Sequence, residues 1–158
     1  MAESWGRSVW QGLSRLARHR GANAAIEMAL IAPALVFMIV GTADYGTAIY
    51  RRMQVQHAAQ AGADFAMRNG FNSAAIMTAV TSATAFAGLE AVPAPVESCG
   101  CASAGAVTPA ICGTTCAGGV AAGRYISVSA RGTYTTILPY PGIPTSLTFD
   151  ATSMARTQ

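Results

Sequence analysis

The chain has 158 residues, of which 52% are hydrophobic and only 11% charged, and its formal net charge is +3. That length fits one domain, and the high apolar content excludes disorder of the charged, low-hydrophobicity kind. All ten basic residues are Arg, so a P-loop lysine, a Schiff-base lysine and a Ser-Lys dyad are excluded with them.

Residues 1–20 hold Arg7, Arg15, Arg18 and Arg20 with His19, against a single acid, Glu3. The next thirty residues, 21–50, contain only two charges, Glu27 and Asp44, and residues 28–43 are uncharged throughout. A bilayer core takes about 20 mostly apolar residues as a helix, so this run spans it by drawing on its neutral and acidic flanks. Tyr45 and Tyr50 suit the interfacial aromatic belt, and Arg51-Arg52 mark the return to water. Four Arg before the segment against two after it predict a cytoplasmic amino terminus and an exported carboxyl-terminal body.

Two rival readings address the same residues. Gly41-Thr42-Ala43 has the small-x-small form of a signal-peptidase site, which would release the rest of the chain after Ala43 as a secreted, disulfide-bonded binding protein. Yet the helical pattern continues past it: Tyr45, Ile49 and Met53 recur at i+4 spacing, followed by an apolar, small-residue stripe of Val55, Ala58, Ala59, Gly62, Phe65 and Ala66. A buried core helix of a soluble protein would leave the preceding Arg cluster unexplained. The spacing therefore predicts one anchored helix running to about Arg68.

Glu27 stands one turn inside the apolar segment, where a carboxylate costs up to about 2.5–3.5 kcal/mol on insertion scales. Either it complements the dipole of the helix amino terminus, or it needs a cation. An α-amino group created by cleavage just upstream would supply one.

The run from Arg20 through Gly21, Ala22, Asn23, Ile26-Glu27-Met28 and the apolar stretch to Pro33 resembles the start of a TadE/TadG-like minor pseudopilin of the tight-adherence (Tad, type IVc) pilus. The resemblance implies a basic cytoplasmic leader cut after Gly by a prepilin peptidase, with Glu at the fifth mature position. Five residues separate Gly21 from Glu27 where the family pattern has four, so the cut follows Ala22, or follows Gly21 with shifted spacing, or the leader is retained. By the same resemblance Glu27 pairs with the amino terminus of a neighbouring subunit, and Pro33 kinks the helix.

Asn69-Gly70 is a helix stop, and Asn72-Ser73 caps a second helix predicted over residues 74–87. Residues 92–123 are rich in Ala, Gly, Pro and Thr and read as a loop. This loop holds Cys99, Cys101, Cys112 and Cys116. Outside the cytoplasm disulfides persist, and close-spacing strain disfavours Cys99 with Cys101, leaving a nested or a crossed pair. Zinc is disfavoured because C-x-C is tighter than the usual C-x₂₋₄-C. From Arg124 the period changes to two, predicting a strand to about Ile137 and a second over Leu147–Thr152, joined through Pro139, Pro141 and Pro144.

The predicted fold class is α+β and pilin-like. It comprises a leader over 1–22, a transmembrane-plus-stalk helix over 23–70, and an exported body over 71–158 with a second helix and a small antiparallel sheet. No convergent acid, base and nucleophile set suggests an enzyme, since His57 sits on the stalk and Glu90, Glu97 and Asp150 read as surface charges. No cofactor or metal is expected. The expected partners, on the resemblance, are a prepilin peptidase, an inner-membrane pilus platform, the major pilin, other pseudopilins and membrane lipid. Nucleic acid is not among them: removing residues 1–22 leaves six Arg against six acids, so the positive charge belongs to the leader.

Overall fold

The computed structural model describes residues 20–103, 105–139, 142 and 144–157, with side chains described from residue 24 onward. Residues 1–19 of the predicted leader over 1–22 lie outside the described residues, as do Tyr140, Pro141 and Ile143 of the proline-rich connection. Helix α1 runs over Arg20–Asn69 and contains Pro33. Helix α2 spans Ser73–Ser82, and the strands are β1 (Leu89–Glu90), β2 (Val96–Ser103), β3 (Ala106–Pro109), β4 (Gly123–Thr135) and β5 (Ser146–Arg156). The chain divides into two units at Asp44 and Tyr45.

In the first unit the helix buries almost nothing: Leu30, Phe37, Met38 and Ile39 are all exposed. The second unit is the body. Its α1 residues Val55, Ala58, Ala59, Ala63 and Ala66 pack on Ile76 and Val80 of α2 and on Ile126, Val128 and Ala130 of β4. Small side chains on the helix set this packing distance. A Cβ at Gly62 would lie 2.5 Å from Val80 Cγ2 and 2.8 Å from Val128 Cγ1, so only glycine fits between the two layers.

All five strands are antiparallel to their neighbours, and β4 is central. β5 pairs along one edge of β4, while β1 and β2 share the other; β3 lies beyond β2. The alternation expected for a one-faced sheet holds, with Ile126, Val128 and Ala130 buried and Ser127, Ser129 and Arg131 more exposed.

Three expectations are corrected. The region read as a loop, 92–123, contributes β2 and β3, so the sheet has five strands and not two. Those strands lack β-branched alternation because they pair through backbone at close approach: a Cβ at Gly100 would run into Val107 and the Thr108 carbonyl. Helix α2 ends at Ser82 rather than Ala87. Thr78, Thr81 and Ser82 hydroxyls donate to carbonyls one turn back, which competes with helix propagation. The chain then turns so that Phe86 enters the core. Finally, β5 extends to Arg156, four residues beyond the predicted strand.

Candidate membrane anchor and assembly face

Glu27 is exposed on the first unit of α1, among the exposed apolar side chains Ile26, Met28, Leu30 and Ile31. A helix apolar on every side is stable only where something apolar surrounds it. Among the described residues one helix is long and apolar enough to cross a membrane, and none of its apolar window is buried. Pro33 is likewise exposed and lies inside the helix. Gly21 and Ala22, the candidate residues before the scissile bond, lie in the first turn of α1.

The apolar series read as one stripe divides in two. Tyr45, Ile49 and Met53 are 71%, 45% and 50% exposed, whereas Val55, Ala58 and Ala66 are fully buried in the body. The small-residue ladder Ala58, Gly62, Ala66 therefore faces the body's own α2 and sheet. Arg51 stands at the changeover, its guanidinium 4.7 Å from the centroid of the Phe86 ring and its NH1 donating to Gln54 Oε1 at 2.9 Å. This cation–π contact fixes the charge at the point where the helix enters the body.

The cysteines form two disulfides, Cys99 with Cys112 and Cys101 with Cys116, at Cα–Cα distances of 5.1 and 5.6 Å. The pairing is the crossed one, and it ties the 110–122 segment to β2. An Ala110 N–H to Cys99 carbonyl bond of 2.9 Å continues the β2–β3 ladder into that segment. No described group of three or more His, Cys, Asp or Glu is placed to hold a metal ion. His57 lines an open groove with Tyr50, Met53, Gln54 and Thr84. Arg131 donates to Asp150 at 2.6 Å and Arg124 lies 3.6 Å from Glu97, both at the surface.

The small-residue ladder signals the close approach at Gly62, whereas the sequence did not reveal the one at Gly132, where a Cβ would meet Phe86 and Val55. A glycine within an alternating strand was the available signal for Gly132.

Comparison with protein families finds that residues 23–64 match the family described as TadE-like protein. No curated protein and no solved structure matches the chain. The matched segment holds Glu27, Pro33, the whole uncharged run and the first buried turns of the body. It is thus residues 23–64, within the apolar amino-terminal helix α1, that are similar to the TadE-like family.

Proposed function

We propose that the chain is a membrane-anchored minor pseudopilin that serves assembly of a Tad (type IVc) adhesive pilus. The observation that carries this reading is the exposed apolar surface of α1 through residue 43, coinciding with the TadE-like match over residues 23–64. Helix α1 continues through Gly41-Thr42-Ala43 without a break, which favours an anchor over release after Ala43.

In this reading residues 1–22 are a cytoplasmic leader that a prepilin peptidase removes after Gly21 or Ala22. Cleavage after Ala22 makes Asn23 the first residue and Glu27 the fifth. The Glu27 carboxylate then pairs with the new α-amino group of a neighbouring subunit inside the bilayer, and fixes register there more than it adds stability. Pro33 removes one backbone hydrogen bond, a loss that neighbouring helices compensate in a membrane bundle. The body lies in the periplasm or outside the cell, where the two disulfides persist. Its partners are the prepilin peptidase, the inner-membrane platform, the major pilin and other pseudopilins. The protein acts as a structural component without an enzymatic activity.

Intact mass of the chain recovered from membranes tests the route. Loss of 21 or 22 residues is expected; loss of 43 sinks the pseudopilin reading. Glu27→Ala is expected to insert normally and to reduce piliation, and normal piliation in that variant removes the ion-pair role.

A further inference from the structure

We propose that the free edge of β5 is a contact between two copies of this chain, which pair antiparallel over residues 150–156 about a two-fold axis at Ser153. The pairing goes beyond the assembly role above and draws only on residues of the second unit.

The two edges of the sheet differ. At one, β3 is four residues long, ends in Pro109 and leads into the disulfide-tied 110–122 segment, features that blunt an edge against pairing. At the other, β5 is 11 residues long and free of proline, and among the described residues it pairs with β4 alone. Its register fixes which backbone groups face outward. Thr136 N–H donates to the Thr145 carbonyl at 2.9 Å and Thr157 N–H to the Arg124 carbonyl at 3.0 Å, so the odd-numbered residues of β5 are the ones that bond to β4. In an antiparallel ladder the alternate residues point their N–H and C=O the other way. Ser146, Thr148, Asp150, Thr152, Met154 and Arg156 therefore offer these groups to the open edge, and all six side chains are exposed.

Charge selects both the occupant and the register. The only charges on β5 are Asp150 and Arg156, and both belong to the outward-facing set. With Ser153 on the axis, a second β5 running antiparallel sets Asp150 of each copy opposite Arg156 of the other. Registers centred on Asp150 or on Arg156 would bring like charges together. Directly opposite unlike charges attract and like ones repel, so the Ser153 register is favoured, and the two-fold repeats its ion pair as a self-complementary contact requires. On the helix side of the sheet the residues that meet are Ala151, Ser153 and Ala155, small enough to pass beside α1. There Gln56 and Gln60 line an open groove with residues 150–153, and the small side chains of the second strand enter it. The axis stands perpendicular to the sheet. Within the body α1 runs antiparallel to β4, since Gly62 lies against Val128 and Val55 against Gly132, so α1 enters the two bodies from opposite ends. The pair thus joins copies that meet from opposing sides, not neighbours in one orientation.

Exchanged charges test the contact, read by sedimentation velocity of the full chain in micelles. Asp150→Arg sets Arg against Arg at both ends of the pair, and Arg156→Asp sets Asp against Asp. Each variant alone is expected to dimerise roughly tenfold or more weakly than the unmodified chain. An equimolar mixture of the two is expected to recover the dimer, because each strand then opposes its complement. Ser153→Cys gives a reading independent of charge. Facing residues of a pair without mutual hydrogen bonds lie about 4.5 Å apart, within disulfide reach, so mild oxidation should cross-link two copies. Thr133→Cys, exposed on β4 away from the axis, should stay uncoupled. A monomeric unmodified chain, full-strength dimerisation of either charge variant alone, or cross-linking at 133 as readily as at 153 overturns the proposal. Failure of the mixture to recover the dimer, while both variants keep the near-ultraviolet dichroism of the folded body, overturns it as well.

Discussion

Between Ile26 and Ile39, α1 presents large apolar side chains that are 45–76% exposed, whereas between Val55 and Ala66 it presents Val and Ala that are 0–3% exposed. One helix thus meets two environments, and the size of its side chains differs accordingly. Large flexible side chains cover the most apolar area per turn, which suits contact with lipid. Small ones let a second helix and a sheet approach closely, and Gly62 marks the closest point. Burial and composition both separate the two stretches: residues 28–43 are uncharged and mostly exposed, whereas Gln56, His57, Gln60 and Asp64 alternate with the buried side chains between Val55 and Ala66.

The sharpest way to break this comparison is to delete the same kind of methyl groups on either side of it. Ile126 is fully buried beneath the body half of the helix, while Leu30 is 76% exposed. Ile126→Ala should destabilise the body by about 2–5 kcal/mol, because it removes apolar burial and leaves a cavity. Leu30→Ala should move body stability by no more than about 0.5 kcal/mol. Denaturant unfolding of the full chain in micelles, followed by near-ultraviolet dichroism of the body tyrosines, distinguishes the two. Equal losses would mean that the first unit is held by the protein and not by its surroundings.

The glycines sharpen the contrast at smaller scale. Gly62→Ala places a Cβ 2.5 Å from Val80 Cγ2 and 2.8 Å from Val128 Cγ1. Overpacking of about 1–3 kcal/mol then outweighs the gain in helix propensity of about 1 kcal/mol. At Gly46 nothing lies within 4 Å of the added Cβ, so Gly46→Ala should gain up to about 1 kcal/mol. Opposite shifts in thermal midpoint are the expected result. A gain at both positions would show that the layers at Gly62 yield without strain.

How far the sequence foretold this arrangement depended on the type of signal. The basic cluster, the uncharged run and the Arg51-Arg52 boundary follow from charge alone, and among the described residues the structure has one long apolar helix over the uncharged run. The β4–β5 hairpin was equally legible, since Ile126, Val128 and Ala130 alternate with polar residues and prolines mark the connection. β2 and β3 were not legible. Val96–Ser103 contains Ser, Cys, Gly and Ala, residues that carry no strand pattern, and its place is fixed by β4 and the two cross-links. The crossed pairing of the cysteines likewise required three-dimensional positions, because spacing allowed two arrangements. At Glu27 the sequence and a family resemblance supplied the whole argument; the fold adds only that its side chain is exposed.

The smallest expected effect belongs to the polar face of the sheet. Arg131 and Asp150 stand opposite each other on β4 and β5 and are joined by a 2.6 Å bond, with side chains 46% and 57% exposed. Water competes for both groups, so Arg131→Ala should cost only about 0.2–1 kcal/mol. Part of that loss should vanish in high salt, which screens an exposed pair. The neighbouring Ala130 points the other way and is fully buried, so one step along the strand moves from a surface that tolerates exchange to a core that does not. A salt-independent loss above about 2 kcal/mol for Arg131→Ala would place this face against another surface and give the body a second packed side.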